Sequence, residues 1–481
     1  MSELVRVAGA VGCGGLVLLL LATRRDLRLA GLAAWGAGAA VLALHLAPSG
    51  HEALLAAAAV AGAGVAAGGA AVLQRWPWTL AFATVLLLPL RIPVTVGDEE
   101  ANLLLPLYAV VAAVAVSLAW QLVRDDDRAR ELGAVALPLA ALVGWFGLSL
   151  LWSDDLRNGA VFLVAFVLPF GLLAIAFARL PWREPPLRAL YGVLAVTAVA
   201  YAAIGIYQWL ARDVFWNPKV IVPNAYAPFY RVNSVFWDPS IYGRYLVLAI
   251  LATLAFVLAG LSRRRLAAAV AVVAVAWVGL LFSFSQSSFV ALIAGVLVAA
   301  TVVWRWRAAV ALGLLAAVVI TAGFATPQVR SQILDKSRAG IDAATGSRAG
   351  LVANGIRIAR DNPLLGVGVG AFKVAYAERV GLPGREPRRA ASHTTPVTVA
   401  AETGLPGLAL LAWLGWVALA SLLRRRNDGV SGRTTLVVGL TLCAIAVHSL
   451  FYNAFFEDPT TWALLGLGAL GVRARDDGAT A

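Results

Sequence analysis

Apolar runs recur along nearly the whole chain, broken by short polar turns, and most are long enough to cross roughly 30 Å of hydrocarbon as a helix. The pattern predicts spans at about 4–23, 29–46, 53–74, 78–94, 102–122, 134–152, 159–178, 187–208, 245–261, 266–282, 288–304, 308–325, 396–422, 434–452 and 460–472. The expected fold is all-α and polytopic, with about 13–15 transmembrane helices and a helical extracytoplasmic cap. Five regions follow: N-terminal helices (1–207), a first external loop (208–243), central helices (244–324), a large basic external loop (325–395), and C-terminal helices with a cytoplasmic tail (396–481).

Composition agrees. Of 481 residues, 61% are hydrophobic and 14% charged, which excludes an ordinary soluble protein. Cys13 and Cys443 both fall in apolar runs, so neither a structural disulfide nor a cysteine metal site is expected. The first run, Leu4 to Thr23, ends in Arg24-Arg25-Asp26 with no small-residue cleavage site, so no cleaved signal is expected.

Charge sets the orientation. Alternate short loops (24–28, 75–77, 123–130, 178–188, 262–265, 304–307, 424–433 and 472–475) are arginine-rich, whereas 48–52, 96–102, 152–159 and 452–460 hold a single arginine among several acids. The first set is therefore expected in the cytoplasm and the active face outside. The two long segments then lie outside, and both are cationic. The second carries eleven basic residues against five acids. Arginine forks favour phosphate; adhesion to anionic lipid headgroups is the open alternative.

Ser347 can cap a helix through Arg360 on which Arg357 and Arg360 share a face. Leu351, Val352, Ile356 and Ala359 make the apolar stripe of a helix lying on the membrane surface. The following GxGxG run, within Asn362–Phe372, lacks a Walker lysine and a preceding strand, and reads as a tight turn of close-packed backbone. His393, one of four histidines, precedes a helix with Thr395 as N-cap and Pro396 at the first position. A helix N-terminus disfavours the imidazolium, so His393 is a candidate general base, with a solvated loop histidine as the plain alternative. His448 reads as a packing histidine, and His45 and His51 as solvated. Ser283, Ser285, Ser287 and Ser288 either line a groove or serve helix packing. Asp98, Glu99 and Glu100 read as a solvated acidic loop, with a catalytic or metal-ligand role as the alternative.

Several separated motifs resemble the O-antigen ligase and Wzy-type polymerase superfamily. They are Arg231–Gly243 (RVNSVFWDPSIYG), Asn362–Phe372 (NPLLGVGVGAF), and His393 followed at the family's spacing by Gly404 and Gly407. Leu151–Arg157 (LWSDDLR) adds the short external loop. Three positions depart from the pattern. Thr394 follows the histidine, Leu408 follows the second glycine, and Gln286 stands near a usual arginine. The resemblance implies a GT-C-like, metal-independent glycosyltransferase without a cofactor, embedded in the cytoplasmic membrane among its lipids. It would move a glycan from an undecaprenyl-diphosphate donor to a glycan or glycolipid acceptor, with no nucleic-acid partner. Arg231 and Arg348 would bind the diphosphate, supported by Arg244, Arg357 and Arg360, with His393 as base. Asp238 would orient Arg231 or cap its turn, and Glu402 would be paired, since a lone charge in a membrane helix is costly. A transporter of the same carrier would show inverted repeats or charges deep in several helices. A scaffold subunit of an envelope-synthesis complex is a third class.

Overall fold

The computed structural model describes residues 2–47, 52–96, 99–215, 217–226, 230–258, 260–304, 307, 310, 313, 348–381, 392–423 and 429–476. Most of the expected span 308–325, much of the basic loop and Asp98 lie outside the described residues. Ten helices among the described residues are long and apolar enough to cross a membrane. The chain is a polytopic, helical membrane protein.

The N-terminal bundle comprises α1 (Ser2–Leu21), α2 (Arg25–Leu46), α3 (Glu52–Arg75), α4 (Thr79–Leu87), α5 (Leu105–Val123), α6 (Ala136–Ser149), α7 (Leu156–Phe162) and α8 (Leu168–Ala178). α1 and α2 approach closely because Gly12, Gly15, Gly31 and Gly38 face one another; a Cβ on Gly31 would meet the Leu18 side chain at 2.8 Å. The expected span 78–94 is shorter than hydropathy indicated. α4 stops before Pro89, and the chain then forms a hairpin of β1 (Ile92–Val96) and β2 (Glu99–Leu103). Proline removes the amide a continuing helix needs.

A second group contains α9 (Glu184–Ala211), α10 (Pro218–Tyr226), α11 (Pro239–Leu258), α12 (Arg263–Ser283) and α13 (Gln286–Trp304). Helices α9 and α11 run past the 207/208 and 243/244 boundaries drawn from hydropathy. The segment between them is therefore mostly anchored: Ser234 N–H donates to Gln208 Oε1 (2.7 Å), and Val232 N–H to the Phe282 carbonyl (3.1 Å). The cap supplies α14 (Arg348–Asp361) and α15 (Phe372–Arg379). The C-terminal helices α16 (Thr395–Leu423), α17 (Val430–His448) and α18 (Pro459–Asp476) pack against both groups: α18 lies on α8, and α17 on α11 and α13.

The apolar stripe of α14 is out of phase with the one expected. Gly355, Ile358 and Ala359 are buried against α16, while Ile356 is 54% exposed. Residues 351, 355, 358 and 359 follow the helical repeat, so α14 docks on the protein with Arg357 and Arg360 outward.

At one end of the bundle the arginine-rich turns build a buried ion network. Arg28 Nη2 meets Glu131 at 2.7 Å with both side chains buried, Arg179 bonds the same carboxylate, and Arg179 Nη2 lies 2.6 Å from Asp126. Breaking such a pair strands a charge in low dielectric. Glu131→Ala is expected to destabilise the protein by about 3–5 kcal/mol, read as a fall in thermal unfolding temperature in detergent. Asp26→Ala, which disrupts an exposed pair with Arg24, is expected to change little.

Candidate functional site

At the opposite end, α16 is broken nine residues after it begins to wind. Gly404 leaves helical geometry (φ 71°, ψ −175°), and Pro406 lacks an amide, so carbonyls of the preceding turn lose their intrahelical donors. The 362–372 loop supplies them. Val367 N–H donates to the Ala401 carbonyl (3.0 Å) and Gly368 N–H to that of Glu402 (2.8 Å). In return Leu405 N–H donates to Pro363 (2.8 Å). The Trp145 indole caps the Thr403 carbonyl at 2.8 Å. From the other side, Trp152 Nε1 donates to the Leu365 carbonyl (3.1 Å) and Ser153 Oγ to that of Val369 (2.8 Å).

Glycine is required in this joint for two reasons. Gly366, Gly368 and Gly370 all have positive φ (66°, 92° and 83°). A Cβ on Gly368 would also overlap the Ser153 backbone, and one on Gly370 that of Gly159. The LWSDDLR, NPLLGVGVGAF and AETGLPG segments, far apart in sequence, are therefore one interlocked junction.

Beside the junction lies a cavity of about 320 Å³. Asn158, Lys373, Thr395, Thr398, Glu402 and Glu457 line it, with phenylalanine walls that include Phe146, Phe162 and Phe456. Glu402 is not ion-paired among the described residues, contrary to expectation; its carboxylate accepts the backbone N–H of Phe372 at 3.3 Å. Burial pushes the Glu457 carboxyl up to about 7, against the opposing pull of Arg91, Arg244 and Lys373. Sequence reading missed Glu457 and Lys373 because their partners come from remote segments.

His393 stands half-buried in a left-handed conformation (φ 58°) beside this cavity's wall. The helix start is one residue earlier than expected. The Thr394 carbonyl accepts the Thr398 amide (3.1 Å), which makes Thr394 the N-cap and Pro396 the second helical residue. Ser392 completes the cap, with its Oγ 2.6 Å from Thr398 Oγ1 and accepting the Thr394 amide (3.2 Å). Thr395 N–H then reaches across to the Ser449 carbonyl at 2.9 Å, tying the His393 turn to the end of α17.

That end holds His448, whose Nε2 is 3.0 Å from Ser287 Oγ; Ser285 Oγ lies 3.1 Å from Ser287 Oγ and 2.8 Å from Ser288 Oγ. Arg231 joins the same turn, its Nε donating to the Ser283 carbonyl at 3.2 Å. Asp238 caps α11: its Oδ1 accepts the Ser240 amide at 2.6 Å. The structure thus brings the Arg231 segment, the serine turn, His448 and the His393 turn together. The other expected anion ligands are engaged elsewhere or lie on the cap helix. Arg244 is buried and committed to Asp458 at 2.6 Å, and Arg357 is exposed and bonds Asn354 (3.2 Å). Arg360 is exposed on the same helix. Arg348 opens α14, with its side chain outside the described structure. The side chains of Glu99 and Glu100 are likewise undescribed.

The raised Glu457 carboxyl gives a pH signature. Its folded value lies above that of a free glutamate, so the folded state holds the extra proton between about 4.5 and 7 and stability falls as pH rises through that window. Glu457→Gln is expected to flatten this slope. Parallel slopes for the variant and the wild type in thermal unfolding from pH 5 to 8 would contradict it.

Residues 271–412 match the family model described as O-Antigen ligase. No curated protein matches the chain. The matched stretch contains the serine turn, the glycine loop, His393 and the broken helix. Over that stretch the chain is similar to the O-antigen ligase family, and the match supports a ligase- or polymerase-like function in general.

Proposed function

We propose that this protein transfers a glycan from an undecaprenyl-diphosphate carrier to an acceptor hydroxyl. The arginine-rich end faces the cytoplasm and the junction faces the outer side of the cytoplasmic membrane, in keeping with the positive-inside pattern. The observation carrying this reading is the convergence of the His393 turn, through the Thr395–Ser449 bond, with the Arg231 and serine turn beside a polar cavity.

The acceptor hydroxyl loses its proton to the neutral imidazole of His393 as its oxygen attacks the anomeric carbon. The bond from that carbon to the diphosphate oxygen breaks, and charge grows on the leaving diphosphate. Arg231, with Arg348 from α14, stabilises that charge in a partly desolvated site. Arg357 and Arg360 extend the positive field over the site from the outer face of α14, and Arg244 acts through its pair with Asp458. The hydroxyls of Thr395 and Thr398 and the carboxylates of Glu402 and Glu457 are suited to hold sugar hydroxyls. A second variant, polymerisation with a lipid-linked repeat unit as acceptor, is favoured by Leu408, which stands where true ligases often carry threonine.

Arg231→Ala and Arg348→Ala are each expected to cut turnover on the order of 10²-fold or more, with lysine restoring only part. His393→Ala should nearly abolish transfer, a loss of roughly 10² to 10⁴-fold, while donor binding survives. A base needs the neutral ring, so the wild-type rate should rise with pH, whereas a cationic clamp gives the reverse. Substantial activity in His393→Gln, at equal membrane abundance, would remove proton abstraction from this residue.

Turnover with lipid-linked donor is expected to persist in excess EDTA, because arginines rather than a divalent ion serve the diphosphate. A loss restored by Mg²⁺ or Mn²⁺ would return Asp98, Glu99 and Glu100 to the catalytic machinery.

A further inference from the structure

A groove runs along the bundle well away from the junction. At the arginine-rich end it opens as a space of about 460 Å³, where the first turns of α9, α12 and α17 meet: Glu184, Leu187 and Arg188, then Arg265, then Val430 and Arg433. Three helix N-termini therefore face one opening, against the single C-terminal end of α11 at Gly260 and Leu261. Arg188 pairs with Glu184. Arg265 and Arg433 have no carboxylate partner among the described residues. The local field is positive and two guanidinium groups are available.

The same space continues into an apolar channel of about 150 Å³ between α4, α9, α11, α17 and α18; Leu187, Tyr191, Phe256 and Thr434 line both. At its far end, by Leu88, Tyr245 and Leu248, it narrows to about 20 Å³ beside Arg91 and Arg244. That volume holds about one water and excludes a phosphate group. An amphiphile in this groove can therefore seat its anionic head only at the arginine-rich end, with its apolar tail pointing toward the middle of the bundle.

We propose that this groove binds an anionic glycerophospholipid of the leaflet at the arginine-rich end. Its phosphate lies between Arg265 and Arg433 at the three helix N-termini, and an acyl chain enters the channel lined by Tyr191, Leu194 and Phe256. Charge complementarity selects the head and the apolar lining accepts the chain. The site fastens α9 and α11 to α17, the helix that ends at His448, and it is independent of the glycosyl-transfer reading.

The test is the unfolding temperature of the purified full-length protein in detergent, titrated with phosphatidylglycerol, with phosphatidylcholine of the same acyl chains, or with inorganic phosphate. Phosphatidylglycerol should give a saturable rise, phosphatidylcholine a much smaller one, and phosphate none. The double variant Arg265→Gln/Arg433→Gln, at one exposed and one half-buried arginine, should weaken the phosphatidylglycerol response by roughly 30-fold. Gly192→Trp provides a second route, since a Cβ at Gly192 meets no atom within 4 Å and the indole would fill the groove mouth. It should abolish the lipid response while leaving the lipid-free unfolding temperature near that of the wild type. Equal protection by both lipids, protection by phosphate alone, or an unchanged phosphatidylglycerol response in either variant would overturn the site.

Discussion

The break in α16 at Gly404 and Pro406 is the constraint on which the junction end of this protein depends. A helix interrupted there exposes carbonyls that cannot be left bare away from water. The glycine loop satisfies them through the amides of Val367 and Gly368. To do so its backbone must lie flat against α16 on one face and against Ser153 and Gly159 on the other, which only residues without a Cβ permit. Once this joint is made, Glu402 is directed at the cavity, and the first turn of α16 is held where Thr395 can reach Ser449.

The two ends of the bundle use charge differently. At the arginine-rich end, cations and carboxylates are mutually neutralised in a buried lattice of Arg28, Arg179, Glu131 and Asp126, which fixes α2, α5 and α8 relative to one another. At the junction end the polar groups are less fully compensated. Glu457 has its carboxyl pushed up to about 7 by burial. A partly compensated site of this kind is suited to bind a charged, hydroxyl-rich substrate, whereas the compensated lattice is suited only to hold helices.

Much of the architecture was legible because a lipid-spanning helix needs a long apolar run, and such runs are hard to mistake. The failures have local causes. Hydropathy could not see that Pro89 ends α4 or that a hairpin follows, since Leu88 to Val96 is as apolar as a helix. It shifted the stripe of α14 because Ile356 is apolar yet faces outward. The site was legible only in pieces. His393, Arg231 and the glycine run each stood out by residue type. The Asp458 that claims Arg244, and the Glu457 that completes the cavity, lie more than 200 residues from Arg244 and more than 50 from Glu402 respectively, and no periodicity links them. Ser392, which shapes the turn holding His393, looked like any loop serine.

The most direct test of this account is a comparison of Gly368→Ala with Gly381→Ala. Both glycines have positive φ, but a Cβ on Gly381 meets no atom within 4 Å, whereas one on Gly368 strikes Ser153. Backbone strain alone costs on the order of 1 kcal/mol, so Gly381→Ala should keep nearly all transfer activity. Gly368→Ala should force the loop off the broken helix, losing both transfer and thermal stability at equal membrane abundance. Full activity in Gly368→Ala would contradict the claim that this joint positions the site.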